Sequence, residues 1–170
     1  MTQQDQDRAQ EQARAQLASI REMLAAADLD WGRLEELRDL FVDHETLEDG
    51  GTNPEPFAAE YPDEADELEE LEAAAGEYES QEDAERAIWE NPLDISYRSG
   101  WTSDKEDMTP EEFQILLCTG GPAVRIMGEL DHHGQPCRAW LEYQDWGTPW
   151  TMLFDGQSDA LDYAQRVIYL

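Results

Sequence analysis

The sequence predicts an α+β fold: an N-terminal helical hairpin, an acidic helical segment, and a C-terminal antiparallel sheet of about four strands with a terminal helix. Three observations predict it. Apolar residues recur at helical spacing as far as Trp89, then alternate from Leu93 onward. Turns bearing Gly or Pro separate the alternating runs. The acids are gathered into a central block, which sets the middle of the chain apart from both ends. The expected segments are residues 1–47 (hairpin), 48–90 (acidic loop and helices) and 91–170 (α+β domain with the sheet).

Residues 1–12 are rich in Gln and Asp and are expected to fray. From about Arg8 the chain reads as helix, with Leu17, Ile20 and Leu24 on one face. Asp28 or Asp30 is placed to cap a second helix, in which Trp31, Leu34, Leu37 and Phe41 keep the helical period. Leu17, Ile20, Leu24, Leu34 and Leu37 would serve equally within one chain or between two, so a homodimer stands among the expectations. Residues 48–56 form a loop. Pro62 opens a third helix that runs to Ala75 and stops at Gly76. Its apolar face carries Tyr61, Leu68, Leu71, Ala75 and Tyr78, with Glu64 inside the stripe. Ser80 with Asp83 resembles a capping box for a short helix through Trp89, which Asn91 and Pro92 end. Strands follow at about 93–97, 113–118, 123–130 and 137–144, with turns at 119–122 and 131–136. Ser158 is placed to cap a final helix to about Ile168, with Leu161, Ala164, Val167 and Ile168 inward.

Charge narrows the function classes. Residues 39–85 hold 19 carboxylates and no Lys or Arg. By segment, residues 1–38 hold 8 acids and 5 bases, residues 39–90 hold 20 and 1, and residues 91–170 hold 13 and 5. Salt adaptation would enrich acids over the whole surface, so a central block argues against it. A net charge of −30 opposes direct binding to nucleic acid or to an anionic membrane. No run approaches the ~20 apolar residues of a membrane span, and residues 1–5 lack the marks of a signal peptide. With Cys118 and Cys137 expected as free thiols, a cytoplasmic setting follows.

Candidate chemistry is sparse. Cys118, Cys137, Asp131, His132 and His133 lack the spacing of a structural zinc site, and the adjacent histidines are expected to point apart. Two buried thiols and a polar turn account for them better. Nothing marks Cys118 as an activated thiolate. The Thr119-Gly120-Gly121-Pro122 turn lacks the P-loop pattern, and carboxylate pairs are too abundant to single one out. The expectation is therefore no enzyme: no catalytic residue, no metal and no cofactor. Trp140, Tyr143, Trp146 and Trp150, with Tyr97 and Trp101, are expected first as core and second as a patch for a protein partner.

The acidic block reads as an ordered anionic surface, because a purely solvating tail has no use for Trp31, Phe41, Phe57, Tyr61 and Tyr78. Seven carboxylates over residues 63–72 span roughly 14 Å of helix. That density is close to the one charge per ~1.7 Å of duplex DNA. The residues that would meet a cationic partner are Asp63, Glu64, Asp66, Glu67, Glu69, Glu70 and Glu72. Glu45, Glu48, Asp49, Glu77, Glu79, Glu82 and Asp83 are secondary candidates.

Several segments look familiar together: AQLASIREM at 15–23 with RLEELR at 33–38, then ENPL at 90–93, RSGW at 98–101, PEEFQILLCTGGPAVRI at 110–126 and RAWLEYQDWGTPW at 138–150. They resemble a family of small acidic proteins carried on phages, prophages and plasmids of proteobacteria. The resemblance implies a mobile-element origin in a bacterial cytoplasm, where anti-CRISPR and anti-restriction proteins that mimic DNA are a recurring type. Charge and resemblance converge on an inhibitor that fills the basic DNA-binding surface of a host defence complex. The alternative is an acidic adaptor or chaperone that binds a basic phage or host protein without competing with DNA. A third reading gives the function to the aromatic C-terminal domain and leaves the acidic block to solubilise it.

Overall fold

The computed structural model describes residues 3–46, 53 and 56–168, without the side chains of residues 3–6 and 107. The fold is α+β, with helices α1 (Gln3–Ala27), α2 (Trp31–Glu45), α3 (Phe57–Glu60), α4 (Pro62–Ala75), α5 (Gln81–Glu90) and α6 (Gln157–Val167). The strands are β1 (Asp94–Ser99), β2 (Pro110–Cys118), β3 (Ala123–Leu130), β4 (Pro136–Gln144) and β5 (Thr151–Leu153). Two compact units divide the chain, Met1–Leu24 with Glu85–Leu170, and Ala25–Ala84. These boundaries fall elsewhere than the three sequence segments, because most of α1 belongs with the sheet.

In the first unit the sheet is an antiparallel meander in the order β1-β2-β3-β4-β5. The fifth strand, three residues long, is too short for alternation to reveal and follows Pro149 and Trp150. Register places Ile95, Ile115, Ile126, Leu141 and Leu153 in one row across all five strands. The last four of these are buried. Gly128 lies between Phe113 and Ala139 in the next row, where a Cβ would come within 2.2 Å of the Phe113 ring. Helix α6 packs on β4 and, more lightly, on β3, burying Ala160, Tyr163 and Ala164. Burial pushes the Tyr163 phenol well above its usual range, and its hydroxyl donates to the Ile88 carbonyl at 3.4 Å.

Two expectations at the ends are corrected. Helix α1 is already formed at Gln3 rather than frayed to residue 12. The buried stripe of Leu17 and Ile20 extends upstream through Ala9 and Ala13, and Arg8 reaches the Gly121 carbonyl at 3.2 Å and Asp145 at 3.3 Å. At α6 the N-cap is Gly156, in left-handed conformation, not Ser158. A Cβ there would lie 2.4 Å from Leu17 Cδ1, so tertiary contact fixes the helix start.

In the second unit local signals place the starts of α2 and α4. The Asp30 side chain caps α2 by accepting from the Arg33 N–H at 2.9 Å. Pro62 opens α4 and Gly76, at φ 59°, closes it. The Asp83 N–H donates to Ser80 Oγ at 3.2 Å, while the Asp83 carboxylate turns back to the Glu79 N–H at 3.4 Å. Helix α3, unforeseen in the sequence, sets Phe57 among Phe41, His44 and Tyr61, with ring centroids 5.3–5.5 Å from it. Leu17, Ile20, Leu24, Leu34 and Leu37 are all buried in the single chain.

Candidate anionic interaction site

Helix α4 carries the seven leading carboxylates, and its packing sorts them. At 100° per residue Asp63, Asp66 and Glu70 fall on one ridge, and all three are exposed, as is Glu69. No Lys or Arg among the described residues pairs with these four. Two others are given up to neighbours in α2. Glu67 accepts two hydrogen bonds from the Arg33 guanidinium, at 2.7 and 3.0 Å, and Glu72 accepts one from Arg38 at 3.3 Å. A two-pronged arginine–carboxylate pair fixes orientation as well as charge. The Arg33 hydrogen bonds hold the Glu67 carboxyl below its usual range and raise the guanidinium still further. Glu64 is half-buried, as its place within the apolar stripe implied.

Of the secondary candidates, Glu77, Glu79 and Glu82 are exposed, while Asp83 is spent on capping α5. Glu48 and Asp49 lie outside the described residues. Glu45 is half-buried and lines a groove of 710 Å³ with Phe41, Phe57, Leu68, Glu69 and Glu72. The sequence reading missed this groove, since its walls come from α2, α3 and α4. Beside it, the Glu60 carboxylate holds the Tyr61 phenol above its usual range, with Glu64 adding to the effect.

On the sheet, every arginine is paired with a carboxylate. On the sheet face opposite the buried row, Arg125 donates to Glu142 and Gln114, both at 2.7 Å, and lies 4.0 Å over the Trp150 ring. Arg138 pairs with Glu129 at 3.2 Å, and Arg98 pairs with Glu112. The Trp140 indole donates to Glu142 at 2.9 Å. None of the aromatic cluster is core: Trp101 and Trp146 are exposed, Trp140, Tyr143 and Trp150 half-buried, and Tyr97 41% exposed. The core expectation fails because the period of two sends the aliphatic residues to the helix-covered side and Trp140 to the other.

Comparison with family models, with curated proteins and with solved structures found no match.

The groups considered for chemistry are scattered. Cys118 ends β2, with its Sγ 3.9 Å from the Pro122 carbonyl, and burial pushes its thiol up, away from the thiolate a nucleophile needs. Cys137 is exposed, not buried as expected. The His132 and His133 rings do not point apart, since their centroids lie 3.7 Å from each other. In the same turn Asp131 accepts the N–H groups of His133 and Gln135 at 2.8 and 3.0 Å. Among the described residues no three His, Cys, Asp or Glu side chains converge as metal ligands, and no helix is long and apolar enough to cross a membrane.

Proposed function

We propose that this protein inhibits a bacterial defence complex, a CRISPR effector or a restriction enzyme, by occupying its DNA-binding site with carboxylates. The observation that carries this reading is the exposed ridge of Asp63, Asp66 and Glu70, with Glu69 exposed beside it, on a formed helix clamped to α2 through Glu67 and Glu72. A solvating spacer needs no such clamp. Fixed carboxylates facing Lys and Arg clusters would steer association and compete with phosphates. The test is a pull-down from a lysate of a host carrying both defence systems, with duplex DNA as competitor. A nuclease or effector that DNA displaces, and that Asp63→Lys, Asp66→Lys, Glu69→Lys and Glu70→Lys together release without loss of helix content, is the expected result. Capture that survives the quadruple reversal overturns it.

A second reading rests on the groove between Phe41, Phe57 and Leu68, edged by Glu45, Glu69 and Glu72. Apolar floor and acidic rim suit a basic amphipathic segment of a protein partner, as an adaptor would bind. Here capture is indifferent to DNA, and Leu68→Gln weakens it more than reversal of Asp63 and Asp66.

A further inference from the structure

Among the described residues β1 has a single neighbour in the sheet, β2, so its other side presents backbone donors and acceptors for pairing. Natural edges are blunted by prolines, bulges and charged side chains, and the two charges on this strand, Asp94 and Arg98, are of opposite sign. Residues 94–98 contain no proline, and the one irregularity of the β1–β2 register falls after Arg98. The strand is also open to solvent, with Asp94, Ser96, Tyr97 and Arg98 all exposed and Leu93, just before it, 59% exposed.

The order of side chains along this edge is acid, apolar, Ser, apolar, base: Asp94, Ile95, Ser96, Tyr97, Arg98. That order is a chemical palindrome about Ser96. An antiparallel two-fold pairing centred on Ser96 sets Asp94 opposite the partner's Arg98 and Arg98 opposite the partner's Asp94. On the other face it sets Ile95 opposite the partner's Tyr97, and the reverse. Opposite charges and aromatic with β-branched residues are the favourable cross-strand pairs. Arg98 already meets Glu112 within its own chain, and its five N–H donors leave room for a second carboxylate.

We propose that β1 is a self-association edge: two copies pair through residues 94–98, antiparallel about Ser96, into one continuous sheet. The pairing is isologous and closes as a dimer. It depends on the sheet edge alone and stands whatever the anionic helix binds.

Sedimentation equilibrium of the full chain over a wide concentration range tests it. The wild type is expected to form dimers, and Asp94→Arg or Arg98→Asp alone to weaken them at least about tenfold, since each turns two attractive pairs into repulsive ones. Mixing the two variants restores the dimer, because a chain basic at both positions then meets one acidic at both. A wild type that stays monomeric, a dimer indifferent to the single reversals, or a mixture no tighter than either variant alone overturns the proposal. Amide exchange needs no variant: protection of β1 rises with concentration if the edge pairs, and concentration-independent protection excludes it.

Discussion

Gly156 shows how one residue can fix an element boundary. Its φ of 76°, and the 2.4 Å that would separate a Cβ from Leu17 Cδ1, leave no room for another residue. Gly156→Ala is expected to destabilise the fold by about 2–4 kcal/mol, measured by urea unfolding. Glu67 illustrates charge in the same way. Its carboxyl is held below the usual range by hydrogen bonds from Arg33, so the folded chain binds that proton less readily than the unfolded chain. The contribution is therefore present above the ordinary carboxylate range and is lost as pH falls through the lowered folded value. Amide exchange of α4 should be faster in Glu67→Gln than in wild type at neutral pH, and the two should converge once the pH falls well below the ordinary carboxylate range. A difference that persists at acid pH would assign the effect to packing instead of charge.

Among elements, the sheet separates apolar bulk from aromatic display. Leu141 lies in the buried row while Trp101 stands in solvent beyond β1. Leu141→Ala is expected to cost about 2–5 kcal/mol. Trp101→Ala should change stability by no more than about 0.5 kcal/mol, and denaturant midpoints with unchanged slopes would check both. Helix α4 divides its labour along its own circumference. Glu67 and Glu72, on either side of the apolar stripe, go to arginines, Leu68 faces the groove that Glu72 also edges, and the ridge of Asp63, Asp66 and Glu70 is left to solvent.

For the whole molecule the dominant quantity is the charge of −30. Ala25–Ala84 holds 22 acids against Arg33 and Arg38, so self-repulsion is concentrated there. Salt shortens the screening length from ~30 Å at 0.01 M to ~8 Å at 0.15 M. The melting temperature should accordingly rise with sodium chloride, most steeply at low salt, as read by calorimetry. Reversal of Asp63, Asp66, Glu69 and Glu70 should raise it at low salt and flatten the dependence. A melting temperature insensitive to salt would mean that repulsion contributes nothing to the balance.

Period, turn chemistry and composition were enough for the fold class, four of the five strands, Pro62 as the opening residue of α4, a cap for α2 at Asp28 or Asp30, and the anionic character of α4. Each of these signals is local to a few residues, so a linear reading contains it. Which carboxylates stay unpaired was settled by packing alone, because Arg33 and Arg38 lie some thirty-four positions from Glu67 and Glu72. The groove walled by Phe41, Phe57 and Leu68, the glycine start of α6 and the exposed tryptophans were likewise hidden. Each depends on which face of an element meets another, and no window along the chain contains both partners.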